Sequence, residues 1–379
     1  MKYPKIIGAA LLVLMIIFVG WALKSSPLDQ QTVAESIDGD TDESLTSQQT
    51  YTAAVAAAVA EPGAKYKISS STPQFILLSF DGSKSVEMLD ETLAFQQKML
   101  SESKPLHFTY FINAAYFLTA TTSQLYQAPG QPRSTSKIGF SSSTADIALR
   151  VNEFNKAFAE GNEIGSHSAG HFDGSAWTYA DWKQEFDSFA SLMSNIQKNN
   201  PSAQIDIPLF LSGIHGFRAP NLGVNDNLYK VLSDSQFVYD ASGVSATDAW
   251  PQKDGYGLWH IPLGTVLLGA TKSHVIAMDY NLWTHQSGAK EVAIKGTPLW
   301  TTYYNEVESA YTDLFTTHYE GNRGPIVIGD HFSKWNDGVY WEAMKAFAEN
   351  VCGQPQVRCG TFKDLVDYLN TAGVPPLAQ

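Results

Sequence analysis

The run from Phe75 to Phe80 is almost wholly apolar and ends in one carboxylate, Asp81, followed by Gly82. Such a run has no polar face to give to water. It belongs in a sheet covered on both sides, as a parallel strand that delivers its last residue to the strand's C-terminal end. The pattern recurs. QFILLSF is followed by the helical SVEMLDETLAFQQKML, LHFTYFIN by DIALRVNEFNKAFAEGN, and EIGSHS by TYADWKQEFDSFASLMSNIQK. Further on, GFRAP precedes the helical NDNLYKVLSDS. FVYDAS, LWHIPLG and SHVIAMDYN read as strands, and EVESAYTDLFTTHYEG as a helix. PIVIGDHF reads as a strand, and YWEAMKAFAENVC and TFKDLVDYL as helices. Strands alternating with helices imply an α/β fold with parallel strands. An open doubly wound sheet is the alternative, but no glycine-rich phosphate loop follows the first strand.

The 379 residues suit one large catalytic domain with added segments. At 44% hydrophobic and 12% aromatic, the chain can bury a sizeable core, and a formal charge of −13 argues against nucleic acid as a partner. Ile6 to Leu23 form an apolar run flanked by Lys2, Lys5 and Lys24. We read residues 1–24 as an uncleaved membrane anchor with the rest exported; a cleaved signal peptide is the alternative. Residues 25–64 carry seven acids and no Lys or Arg, which suits a flexible acidic spacer. The folded domain is expected over 65–379. Cys352 and Cys359 are expected to form a disulfide in an exported protein.

Polar residues fall at the predicted strand ends: Asp81, His167 and His171, Arg218, Asp240, Asp279 and His331. In a parallel barrel those ends converge on one site. The two histidines of HSAGH, if on one helical turn, point the same way, and imidazole pairs are common ligands of divalent transition metals. Taken alone, such a pair is as readily a chance surface feature. No G-x-S-x-G nucleophile elbow is present.

In order, SFDG, EIGSHSAGH, FRAP and IGDHFSKW resemble the motifs of the polysaccharide deacetylase family, the NodB-homology domain, over roughly residues 72–372. The resemblance implies a distorted (β/α) barrel and removal of N- or O-acetyl groups from a polysaccharide with a divalent metal, often zinc. It implies a general base at Asp81 and metal ligands at His167 and His171. Arg218 would orient the base, and His331 would be the general acid. Asp240 and Asp279 are both candidates for the acid that orients His331. Tyr116, whose backbone N–H is a candidate oxyanion donor, Pro220 and Trp335 fall on the substrate side. Trp177 and Trp250 are further candidates to stack on sugar rings, although the ordinary role of each aromatic is core packing.

The resemblance breaks at Gly82, which stands where the family has a second acid that binds the metal. Three outcomes are open. The histidines, Asp81 and waters hold the metal; another acid such as Asp173 supplies a ligand; or the chain is a catalytically silent glycan-binding protein on the same scaffold. An exported hydrolase of another amide is a third function class. The glycan itself has no signature in the sequence.

Overall fold

A computed structural model of the chain describes residues 64–378. The expected anchor (1–24) and the acidic spacer (25–64, save Ala64) lie outside the described residues. Among the described residues no helix is long and apolar enough to cross a membrane.

The first strand, β1 (Gln74–Asp81), is buried along its whole length. It needs cover on both edges and both faces, and it has them. Strand β11 (Ile326–His331) runs parallel along one edge, from Ile76 opposite Ile326 to Asp81 opposite His331. The other edge is shared. Strand β2 (Thr109–Ile112) pairs with the C-terminal half of β1, and β12 (Val357–Gly360) with its N-terminal half. From β2 the sheet continues through β3 (Glu163–Ser166), β4 (Gly216–Phe217), β5 (Tyr239–Asp240), β8 (Trp259–His260) and β7 (Gln252–Lys253). Every pairing is parallel except β7 with β8.

A second sheet contains β6 (Val244–Ser245), β9 (Leu263–Leu268) and β10 (Ser273–Ile276), with β9 and β10 antiparallel. Ala277 N–H donates to Gly264 O at 2.8 Å, and Gly329 N–H to Ala277 O at 2.9 Å, which stitches this sheet to β11. The result is a curled, mostly parallel sheet forming a half-barrel. The expected distorted α/β barrel is therefore what the chain builds, with the β7–β8 and β9–β10 pairs as its antiparallel departures.

The helices cover the outside. They are α1 (Val86–Ser101), α2 (Thr144–Ala159), α3 (Tyr179–Ser194), the single turn α4 (Ile196–Asn199), α5 (Asp226–Asp234), α6 (Asp279–Ser287), α7 (Pro298–Glu320), α8 (Trp335–Val351) and α9 (Phe362–Ala372). Their starts are written locally. Ser85, Ser143 and Asn225 accept backbone N–H groups at three N-termini, and Thr178–Asp181 and Thr361–Asp364 form capping boxes. Their inner faces are apolar at helical spacing, as in α1, which buries Met88, Leu89, Leu93, Phe95 and Met99.

Three expectations change. SHVIAMDYN is not one strand: β10 stops at Ile276, and Asp279 opens α6. HSAGH is not a helical turn but a loop after β3, with Ser168 and His171 at φ of 63° and 61°. The β12 strand between the cysteines was not anticipated. The cysteines themselves are joined as expected, with Cα atoms 5.7 Å apart, tying the end of α8 to β12.

Candidate active site

Cross-strand register does the first part of the assembly. Asp81 and His331 are the last residues of β1 and β11, directly opposite one another and fully buried. Residues paired across a ladder point to the same face, so the carboxylate and the imidazole emerge side by side at the C-terminal end of the sheet.

Each is held by its own partner. Arg218, just past β4, donates from Nη1 to Asp81 Oδ1 at 2.7 Å and to Ser79 Oγ at 3.0 Å. Its Nε donates to Ala241 O at 3.1 Å, and its guanidinium lies 4.4 Å from the centre of the Phe111 ring. Both partners are wholly buried. A buried ion pair of this kind is stable only when its remaining donors are also satisfied; Nε and Nη1 of Arg218 are, while Nη2 has no hydrogen-bond partner among the described residues. Asp81 Oδ2 has no hydrogen-bond partner among the described residues.

His331 is held by Asp279. Its Nδ1 lies 2.7 Å from Asp279 Oδ1, and its backbone N–H donates to Asp279 Oδ2 at 2.8 Å. Tyr280 N–H also donates to Asp279 Oδ1 at 2.7 Å. Of the two acids considered for this role, Asp279 is the one in contact. Asp240 lies elsewhere, bonded to Ser242 Oγ at 2.6 Å and facing His260 Nδ1 at 3.6 Å.

His167 and His171 lie next to each other with ring centres 4.9 Å apart. His167 Nδ1 is 2.8 Å from the carbonyl of Arg218. A carbonyl only accepts, so Nδ1 carries the proton and Nε2 the lone pair. That Nε2 is buried with no hydrogen-bond partner among the described residues. Burial, with the Arg218 and His331 charges nearby, pushes His167 down to about 3 against the pull of its carbonyl bond. His171 is lowered well below the ordinary imidazole range by burial, then by His167 and His331, with Asp81 opposing. Both rings are therefore neutral at pH 7 and offer lone pairs.

The loop that carries them is shaped from below by Glu185 of α3. Its Oε1 accepts the N–H groups of Ala169 and Gly170 at 2.9 and 3.0 Å, and Tyr126 OH donates to its carboxylate at 2.9 Å. Burial raises the Glu185 pKa, while those donors oppose the rise. Asn113 Nδ2 donates to His167 O. On the opposite side, buried Arg150 of α2 gathers the carbonyls of Ser83, Lys84 and Tyr116, fixing the segment after Asp81. Sequence reading missed Glu185, Asn113 and Arg150. Their signal was weak: a single acid, amide or arginine on a helix or loop reads as surface until its neighbours are known.

The remaining candidates separate. Tyr116 is buried in the turn Ala114–Phe117, and Pro220 is buried at the start of the turn Pro220–Leu222. Trp335 stacks on Trp283 at 4.7 Å and lies 5.4 Å from His331, so it walls that imidazole. It is 7% exposed and offers little face to a sugar. Trp250 is core, donating to Asn322 O at 2.8 Å, and Trp177 packs on Trp182. Asp173 accepts Ser175 N–H at 2.8 Å in its own exposed turn and does not join the histidines.

For a divalent metal the donor set offers two neighbouring imidazoles. The Nδ1-protonated His167, locked to a carbonyl with its buried Nε2 unpartnered, is arranged as metal-ligating histidines are. His171 is a second neutral imidazole beside it. The pair fits a divalent ion. A third protein ligand is not supplied: among the described residues no group of three or more His, Cys, Asp or Glu is arranged to hold a metal. Gly82 has no side chain to offer.

No family model matches the chain, and no curated protein does. Solved structures do. A Mycobacterium smegmatis protein assigned as a polysaccharide deacetylase is 14% identical, covering 84% of this chain and 98% of its own, with a TM-score of 0.48. A family 4 carbohydrate esterase from Streptomyces lividans, in complex with acetate, is 13% identical over 76% of this chain and 92% of its own (TM-score 0.38). A CE4 family pseudoenzyme from Bacillus anthracis is 10% identical over 78% and 66% (TM-score 0.40). The solved structures similar to this chain thus include a polysaccharide deacetylase, a carbohydrate esterase and a pseudoenzyme.

Proposed function

We propose that the chain is an exported hydrolase that removes acetyl groups from a carbohydrate polymer. The observation that carries this reading is the register that sets Asp81 beside His331, each fixed by a separate buried partner, Arg218 and Asp279. The acetylated-glycan class is supported by the motif resemblance of SFDG, EIGSHSAGH, FRAP and IGDHFSKW. Export is supported by the Cys352–Cys359 disulfide, which belongs to an oxidising compartment, and by the apolar run 6–23 as an anchor.

A divalent metal at His167 and His171, zinc being an ordinary choice for imidazoles, would supply Lewis-acid polarisation of the acetyl carbonyl. The rest is done by the chain's own residues. Arg218 occupies Asp81 Oδ1, which leaves Oδ2 to take the proton of the attacking water. Asp279 holds Nδ1 of His331 and stabilises the imidazolium, so the other ring nitrogen delivers the proton to the departing amine or alcohol. Trp335 and Trp283 keep water from the acid's flank.

The test is acetate release by the full-length protein, with added zinc, from N-acetylated chitooligosaccharide, peptidoglycan and O-acetylated xylan. Asp81→Asn and His331→Ala should each lower kcat by about 10²–10⁴-fold. A second reading, a glycan-binding protein without activity, is favoured by one observation: among the described residues the two imidazoles have no third protein ligand. Retention on one of these polymers with no acetate released under any metal would establish it and end the first reading.

A further inference from the structure

The mechanism leaves unused a buried cluster just behind Arg218. Ser242 Oγ accepts the N–H of Ala219 at 2.7 Å and donates to Asp240 Oδ1 at 2.6 Å. Asp240 Oδ2 faces His260 Nδ1 at 3.6 Å, an ion-pair rather than a hydrogen-bond distance. His260 Nε2 lies 2.9 Å from Asp254 Oδ2. Ala241, between Asp240 and Ser242, gives its carbonyl to Arg218 Nε at 3.1 Å. Residues 240–242 therefore grip both the backbone and the guanidinium of the 218–219 segment. That segment in turn supplies the guanidinium on Asp81 and the carbonyl on His167.

We propose that Ser242, Asp240 and His260 form a positioning relay that sets Arg218, and through it both Asp81 and His167; its kinetic consequences rest on the hydrolase reading above. None of the three touches the reacting atoms. The chemistry of the outer end makes the relay pH-dependent. His260 Nε2 is at hydrogen-bond distance from Asp254 and Nδ1 faces the Asp240 carboxylate, so the imidazolium, protonated on both nitrogens, meets an acid on each side, whereas the neutral ring carries a proton on one nitrogen alone. Burial lowers the pKa of His260, but Asp240 and Asp254 outweigh it and the net direction is upward. The other groups facing it are Tyr229 of α5, whose ring meets the imidazole edge-on at 4.7 Å, and Asp226 behind Tyr229. Lys253, next to Asp254, turns to Asn370 and the Trp259 ring. The charged relay therefore holds at low pH and slackens as pH rises through the raised value.

Ser242→Ala, Ser242→Thr, Asp240→Asn and His260→Gln are made in the full-length protein. Acetate-release kinetics on its best acetylated polymer are read beside hydrogen–deuterium exchange of the peptide spanning residues 217–223. Ser242→Ala and Asp240→Asn should lower kcat at least tenfold with KM within twofold. Exchange in 217–223 should rise at least tenfold in Ser242→Ala, and Ser242→Thr, which keeps the hydroxyl, should recover both. The ratio of wild-type to His260→Gln kcat should be largest at pH 5 and fall toward pH 8. Unchanged kcat and exchange in Ser242→Ala overturn the relay, as does a ratio independent of pH. If the wild type releases no acetate, the hydrolase reading fails by itself. The exchange arm alone then decides whether Ser242 holds the 217–223 segment.

Discussion

Gly82 sits at φ of 82°, the left-handed region that residues with a Cβ avoid. Glycine is therefore tied to the backbone conformation at this position. The backbone after β1 has taken a course that glycine allows, and Arg150 fixes that course by holding the carbonyls of Ser83 and Lys84. Gly82→Asp should lose about 1–2 kcal/mol of stability in metal-free buffer, from left-handed strain and an added buried carboxylate. With zinc, a ligand that binds the folded state restores stability in proportion to its affinity. The variant's Tm should then rise more on zinc addition than the wild type's. Thermal scans of both proteins with and without zinc decide it; equal zinc shifts would show that the residue at position 82 is not where the ion is gained or lost. Asp81 and His331 could be picked from the sequence because each ends an apolar run. The choice between Asp279 and Asp240 could not, since both read as acids at strand ends and only packing tells which one meets His331.

Elements followed the same rule. Runs with one strong physical signal were readable: β1 and β11 by unbroken burial, α1 and α2 by helical periodicity. Elements whose reason is tertiary were not. HSAGH reads as one helical turn, yet Glu185 from another element captures its N–H groups and holds it as a loop. The strand β12, VRCG, has little apolar content; it exists because β1 has a free half-edge beside it and a disulfide anchors its end. That anchoring is measurable. With a sequence separation of 7, the bridge constrains a short loop of the unfolded chain and contributes about 2.5 kcal/mol by loop-entropy reasoning. Replacing both cysteines by alanine should lower the denaturant midpoint accordingly. Exchange should rise first in residues 352–361 and the N-terminal half of β1, leaving the β1–β11 pairing near Asp81 protected. Uniform loss of protection would mean that β12 is no separate unit.

At the scale of the molecule, the end of the sheet opposite the site is joined by one carboxylate. Glu163, at the start of β3, accepts Tyr239 OH of β5 at 2.9 Å, Thr109 Oγ1 of β2 at 3.0 Å and the N–H of Lys363 in α9 at 2.9 Å. Four elements meet there, and Tyr239 also stacks on Phe362 at 5.4 Å. Burial raises the Glu163 pKa from 4.5 to about 7, because removal from water outweighs the three donors. The sign follows from linkage. A folded-state pKa above the unfolded one means that the folded chain binds the proton more tightly. The contribution to stability is complete below pH 4.5 and is lost as pH rises through about 7. The span is on the order of 3 kcal/mol. Glu163→Gln keeps an acceptor for Lys363 and hydrogen bonds for the two hydroxyls, which can rotate, while removing the titration. Wild-type stability minus variant stability, from urea midpoints at intervals between pH 4 and 8, should fall with pH and level off above about pH 8. A flat difference would mean that the three donors already keep Glu163 ionised throughout. The four-element junction would then be held by a permanent charge rather than by a shared proton.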